Sequence, residues 1–171
     1  MKQKSEKKRE WNNKMTAMCG VLMALALVLS YLESLVPVSA AIPGVKLGLA
    51  NMVTIIALRR LGLRPAIIIS VGRIVISGVL FSNLTVIIYS LAGAAFSIAI
   101  MLLAERTRLL SLVGISICGG VAHNLGQVMV ACLVMENIRI FKYMAVLAIS
   151  GAISGALVGI FSSVIMKNIK I

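Results

Sequence analysis

One arginine lies in the middle of a long apolar segment and is the first residue of this sequence that could carry chemistry. Arg73 stands within PAIIISVGRIVISGVLF, residues 65–81, where it is the one charged residue. A charge near the middle of a membrane span costs several kcal/mol, so such a residue marks a functional site by default. The alternative is a structural ion pair, for which Glu33 and Glu136 at the ends of other apolar segments are the candidate carboxylates.

A second group of polar side chains interrupts the apolar segment CGGVAHNLGQ. His123 and Gln127 are four residues apart and share a helix face, and Asn124 lies beside them. These side chains could line a ligand cavity, or they could hydrogen-bond to a neighbouring helix. Because His123 is the only histidine, and no cysteine spacing typical of a metal site is present, the sequence predicts no metal, no cofactor and no catalytic residue.

A third candidate is the turning segment IPGVKLGLAN, residues 42–51, between two apolar runs. Pro43 and Gly44 turn the chain, Lys46 adds a cation, and Asn51 begins the next apolar segment. Irregular backbone at membrane depth is tolerated where protein buries it or where it lines a cavity. We therefore predict a gate loop that dips into the membrane domain, with Lys46 at its mouth and Asn51 inside; an ordinary short loop is the alternative.

The elements that must position these residues are membrane helices. The chain has 171 residues, of which 60% are hydrophobic and 13% charged, and its mean hydropathy is +1.06. A soluble domain usually carries ~25% charged residues. The composition predicts an all-α integral membrane protein, a six-helix transmembrane bundle whose apolar segments span residues 15–35, 45–58, 65–81, 84–104, 112–135 and 144–166. The second segment, at about 21 Å, is shorter than the ~30 Å hydrocarbon core of a bilayer.

The positions of the basic residues predict the orientation of this bundle. Thirteen of the seventeen lysines and arginines fall on one side of the predicted membrane, and Lys46, Arg139 and Lys142 fall on the other. The positive-inside rule then places both termini in the cytoplasm. Residues 1–14 form a basic cytoplasmic arm, residues 15–166 a single membrane domain, and residues 167–171 a short basic tail. The net charge of +12 is interpreted as a topology signal and not as a nucleic-acid-binding surface.

Small residues recur at helical spacing in two segments. Gly151, Gly155 and Gly159 are four residues apart and predict close packing of one helix against another. Ala17, Gly20 and Ala24 form a similar stripe in the first segment, which could pack internally or receive a partner helix.

Two absences bear on catalysis. The sequence contains no phosphate-binding loop of the GxxxxGK[ST] type, so the chain does not hydrolyse ATP by that route. It also contains no aspartate, although diphosphate chemistry with Mg²⁺ normally depends on carboxylates. We therefore expect a subunit without catalytic activity of its own.

The six segments together with IPGVKLGLANMVTIIALRRLG resemble the heptaprenyl diphosphate synthase component I family, also called the Gx transporter family. That family is similar to the substrate-binding S components of energy-coupling-factor (ECF) transporters, several of which share a P-x-x-K-[LI]-x-[LF] passage. Here the passage falls on Pro43, Lys46, Leu47 and Leu49. The resemblance implies that Ala17, Gly20 and Ala24 contact a transmembrane coupling subunit.

The resemblance also implies two functions. The first is an S component in the bacterial cytoplasmic membrane, which imports a small, anionic, partly apolar molecule with energy from partner ATPase subunits. The second is an accessory membrane subunit of heptaprenyl diphosphate synthesis. For the S component the expected substrate-binding residues are Lys46, Asn51, Arg73, His123, Asn124 and Gln127.

Overall fold

The computed structural model describes residues 2–35 and 48–168, with side chains from residue 13 onward. The predicted gate residues Pro43 and Gly44, and the predicted ligand contact Lys46, lie outside the described residues. Regular structure in the described ranges is entirely helical. The helices are α1 (Lys2–Leu35), α2 (Leu49–Arg60), α3 (Leu63–Phe81), α4 (Leu84–Thr107), α5 (Leu112–Val134), a 3₁₀ helix (Ile138–Tyr143) and α6 (Met144–Asn168).

Local sequence signals set most helix ends. Pro65 lies in the first turn of α3, where its missing N–H costs no hydrogen bond. Asn83 caps α4 by accepting a hydrogen bond from the Val86 N–H at 3.0 Å, and Ser111 caps α5 through the Gly114 N–H at 3.3 Å. The predicted bounds of α3 to α6 agree with the structure to within three residues. The prediction for α1 is corrected, because this helix begins at Lys2 and so includes the basic arm.

Five helical segments are long and apolar enough to cross a membrane: residues 13–35, 63–81, 84–107, 112–134 and 138–168. Their large apolar side chains are mostly exposed on the outside of the bundle, among them Val21, Val79 and Leu133, as suits a lipid environment. The chain is therefore a multi-pass membrane protein. Helix α2 is not among the five, since its twelve residues cover only about 18 Å.

Helices α2 to α6 form a closed ring of contacts. Each of α3, α4 and α5 packs against the next helix in the chain, α6 packs against α2, and α2 packs against α3. Helix α1 contacts α2 and α3. The short helix α2 is the most enclosed, with every residue from Val53 to Leu58 buried.

Close approach of α5 and α6 depends on glycine. A Cβ atom on Gly155 would lie 2.6 Å from the Ser116 carbonyl oxygen, and one on Gly159 would lie 2.7 Å from the Val113 Cα. Gly151 faces Gly120 in the same way, with 2.8 Å from its added Cβ to the Gly120 oxygen. The predicted packing role of this glycine stripe is confirmed.

Polar contacts join α2 to its neighbours at the end of the bundle that carries Arg59 and Arg60, here called the basic end. Arg59 Nη1 forms a salt bridge with Glu105 Oε1 of α4 at 3.2 Å. Arg60 Nη2 donates to the Met166 carbonyl of α6 at 2.6 Å. Both arginines therefore anchor the last turn of α2 to its neighbours.

Candidate ligand-binding site

The site is organised by the start of α2. Gly48 has φ +73°, a left-handed conformation that favours glycine, and its N–H donates to Glu33 Oε1 of α1 at 2.8 Å. This hydrogen bond joins the last turn of α1 to the beginning of α2. It also places Asn51, in the first turn of α2, opposite the middle of α3.

Arg73 meets Asn51 at this point. Arg73 Nη2 donates to Asn51 Oδ1 at 2.6 Å, while Arg73 Nε is buried and has no hydrogen-bond partner among the described residues. Glu33 lines the same cavity as Arg73, yet the described side chains contain no salt bridge between them. Glu136, the other candidate for an ion pair, is exposed beyond the end of α5 and does not line this cavity. The guanidinium therefore has a neutral amide oxygen as its direct partner.

The cavity around this pair, here called the Arg73 cavity, has a volume of about 40 Å³. A volume of this size holds about three water molecules. Residues from all six helices line it: Glu33, Gly48, Asn51, Arg73, Ser90, Gly120, His123, Asn124 and Ser154. The ring of His123 fits between α5 and α4 because residue 93 is glycine; a Cβ there would lie 2.9 Å from the imidazole.

A second cavity, here called the inner cavity, adjoins the first on the side of the basic end and has a volume of about 30 Å³. Gly48, Asn51, Gly120 and Ser154 line both cavities. Thr54, Ser70, Ser97 and Ser116 add hydroxyl groups to the inner cavity, and Ile98, Met101 and Val158 add apolar surface. Together the cavities form a polar path along the bundle that becomes partly apolar with depth.

Of the six predicted ligand contacts, Asn51, Arg73, His123 and Asn124 line the Arg73 cavity. Gln127 lines neither cavity, because it lies one helical turn beyond His123, away from the basic end. Asn124 does both things that were predicted for its segment. It lines the cavity, and its Nδ2 donates a hydrogen bond to the Leu147 carbonyl of the neighbouring helix α6 at 2.7 Å.

Several lining residues were not predicted from the sequence. Glu33 is predicted only as an ion-pair partner, Gly48 only as part of the gate segment, and Ser90 and Ser154 not at all. The sequence carried a signal for Gly48, a glycine directly before a short apolar segment. It carried little for Ser90 and Ser154, because isolated serines also occur on helix faces that only pack.

The small-residue stripe of α1 has a different environment from that of α6. Ala17, Gly20 and Ala24 are exposed, and a Cβ atom on Gly20 would have no neighbour within 4 Å. The expectation that this stripe might pack internally is therefore wrong. A partner helix in contact with it stays a prediction.

Comparisons with known proteins complete the description. No curated protein and no solved structure matches the chain. One family model matches residues 22–165, which covers five helices from α2 to α6 and most of the apolar part of α1. By this match the chain belongs to the family described as heptaprenyl diphosphate synthase component I.

Proposed function

We propose that this chain is a ligand-binding membrane subunit that takes a small, anionic, partly apolar molecule into the Arg73 cavity. The observation that carries the proposal is the environment of Arg73, a cation at membrane depth whose partner is the neutral Asn51 side chain at 2.6 Å. A carboxylate or phosphate on the ligand would supply a directly bonded counter-charge, which Glu33 does not, and its two oxygens match the planar guanidinium.

The surroundings of Arg73 support an anion in the same place. Helix α2 also begins at the cavity, where the positive end of its dipole stabilises the Glu33 carboxylate that accepts from the Gly48 N–H. His123, Asn124 and Ser90 add polar side chains to the wall. Glu33 brings a negative charge to the cavity, and its bond to the Gly48 N–H holds that charge at the start of α2.

The subunit would work as the S component of an ECF-type transporter in the bacterial cytoplasmic membrane, with both termini in the cytoplasm. Its partners would be a transmembrane coupling subunit, docked on Ala17, Gly20 and Ala24, and ATPase subunits. The sequence has no phosphate-binding loop of its own, so energy for import would come from these partners. The exposed, unobstructed surface at Gly20 supports a partner helix there.

A second candidate function is favoured by the family description. An accessory subunit of heptaprenyl diphosphate synthesis would also bind an anionic, partly apolar molecule, since a prenyl diphosphate has both properties. The two functions therefore share the Arg73 cavity and differ in their partners. Purification from native membranes separates them: ATPase subunits with a coupling subunit indicate a transporter, and a soluble prenyl synthase indicates the enzyme complex.

Substitution of Arg73 tests the ligand's charge. We expect Arg73→Gln to lower the amount of co-purifying anionic small molecule, measured by mass spectrometry, by more than about tenfold, because loss of a buried charge contact costs roughly 2–5 kcal/mol. Arg73→Lys should restore part of it, because lysine lacks the planar fork. Arg139→Gln is the matched control, since Arg139 is exposed and lines neither cavity. Equal amounts from Arg73→Gln and the control would contradict an anion site.

A further inference from the structure

The inner cavity has an arrangement of hydroxyl groups that the proposed anion site does not use. Each helix of the ring contributes one hydroxyl side chain to its wall: Thr54 from α2, Ser70 from α3, Ser97 from α4, Ser116 from α5 and Ser154 from α6. Most of the wall is nevertheless apolar, with Ile55, Ala94, Ile98, Met101 and Val158 between and below these hydroxyls.

Two of these hydroxyls are buried without a partner. Thr54 is 4% exposed and Ser70 is 1% exposed, and neither oxygen has a hydrogen-bond partner among the described residues. Serine and threonine in helices can bond to a carbonyl one turn earlier, as Ser154 does with Gly151 at 3.3 Å. Buried polar groups in proteins nearly always have a partner, which can be an ordered water, so these two oxygens are available to a polar group that enters the cavity.

The two cavities follow one another along α2 and α3. Ser70 precedes Arg73 by three residues on α3, and Thr54 follows Asn51 by three residues on the antiparallel helix α2. Three residues correspond to about 4.5 Å along a helix. The hydroxyl pair therefore lies about one turn deeper than the Arg73–Asn51 pair, on the same side of the path.

From this arrangement we infer that the inner cavity is a hydrogen-bonding subsite. The ligand is then a small anion that carries a hydroxyl or similar polar group about 4–5 Å from its charge, bound between Thr54 and Ser70. The inference rests on the proposed function, and it narrows the ligand class. A carboxylate at Arg73 and a hydroxyl about one turn deeper match the positions of Asn51, Thr54 and Ser70 along the path.

The size of the cavities agrees with such a ligand. Their volumes of about 40 and about 30 Å³ hold about five water molecules together. A space of this size suits a small acid better than a long prenyl chain. A prenyl chain in the inner cavity would instead leave the hydroxyls of Thr54 and Ser70 facing methyl groups.

The experiment compares two acids that differ in one group, 4-hydroxybutanoate and pentanoate, with geranyl phosphate as the isoprenoid probe. Binding to the full-length protein in nanodiscs is measured by calorimetry. We expect the hydroxy acid to bind about five- to tenfold more tightly than pentanoate, as one hydrogen bond to buried groups predicts. Thr54→Val together with Ser70→Ala should reduce this ratio to about 1, whereas Thr54→Ser should keep most of it.

Ser162→Ala is the matched control. The Ser162 hydroxyl is also buried and lacks a partner among the described residues, but it lines neither cavity. We expect this variant to keep the wild-type preference for the hydroxy acid. Loss of the preference in Ser162→Ala as well would show a general packing effect and would overturn the inference.

The remaining outcomes separate the inference from the proposed function. If both acids bind equally and both require Arg73, the anion site stands and the hydroxyl subsite is wrong. If binding of neither acid changes in Arg73→Gln, the anion site itself is wrong. Tighter binding of geranyl phosphate, unaffected by Thr54→Val, would overturn the subsite in favour of an isoprenoid ligand. No binding of either acid at roughly millimolar concentration would also overturn it.

Discussion

At the scale of single residues, the site depends on a backbone conformation as much as on a charge. Gly48 adopts φ +73° and hydrogen-bonds to Glu33 through its N–H, so α2 starts at the depth of Arg73. Asn51 then reaches the guanidinium from the first turn of α2. A change at Gly48 should therefore affect the Arg73–Asn51 contact without removing either side chain.

We expect Gly48→Ala to lower the free energy of unfolding by about 1–2 kcal/mol, because left-handed backbone is unfavourable for residues with a Cβ. Stability can be measured by thermal unfolding in detergent. Gly20→Ala is the control: its Cβ would lie in open space within a regular helix, where alanine is favoured over glycine. Equal melting temperatures for the two variants would show that the conformation at Gly48 is not important for stability.

At the scale of elements, helices α2 to α6 pack against one another by two different kinds of contact. Helices α5 and α6 approach closely along their glycines, whereas α2 is anchored at its basic end by the Arg59–Glu105 and Arg60–Met166 contacts. The two cavities lie inside the ring that these helices form. The spacing of α5 and α6 therefore affects Gly120 and Ser154, which line both cavities.

Gly155→Ala tests the role of this spacing. The added methyl group would lie 2.6 Å from the Ser116 oxygen and 2.8 Å from the Ile117 Cα, so the helices must separate. We expect a loss of about 1–3 kcal/mol in unfolding free energy, typical of overpacking. Gly114→Ala on α5 is the control, because its methyl group would lie 3.4 Å from the Leu110 side chain, an ordinary contact. A Gly155→Ala protein as stable as this control would contradict the close packing.

At the scale of the whole molecule, charge is distributed unequally between the two ends of the bundle. Arg59, Arg60, Arg106 and Lys167 lie at the basic end, and Arg139 and Lys142 lie in the 3₁₀ helix at the other end. The positive-inside rule predicts that the basic end faces the cytoplasm. In that orientation the Arg73 cavity would lie on the outer side of the inner cavity, in the order that a ligand from outside would meet them.

Cysteine labelling tests this orientation. In a background without Cys19, Cys118 and Cys132, we expect a cysteine at Ser82 to react with an impermeant reagent from outside. Cysteines at Leu63 and Thr107 should react only after the membrane is opened. Leu63 is preferable to its neighbour Gly62, whose φ of +94° is unsuited to any other residue. External labelling at Leu63 would reverse the orientation.

Assembly with a partner belongs to the same scale. We expect Gly20→Leu and Ala24→Leu to release the coupling subunit while ligand binding is kept, because large side chains prevent close approach of helices. Co-purification measures the complex, and Ala99→Leu on the exposed face of α4 is the control. If the complex persists in both α1 variants, the partner contacts another surface.

The sequence by itself determined the helices and the candidates. Apolar runs broken by proline, glycine and capping residues predicted the bounds of α3 to α6, because these signals act within one turn of the chain. Arg73 was identifiable because a charge in an apolar segment is costly wherever the helix packs. The basic arm was not recognised as helix, because its lysines have no apolar periodicity that would predict one.

Only the tertiary structure decided which candidates meet. Asn51 and Arg73 are 22 residues apart in the sequence. The inner cavity is lined by one hydroxyl side chain from each of five helices. These contacts depend on the rotation and depth of each helix, which follow from packing between segments distant in the chain. The absence of Gln127 from both cavities and the exposure of Gly20 have the same cause. The local sequence determines which residues share a helix face, but the neighbouring helices determine which face is covered.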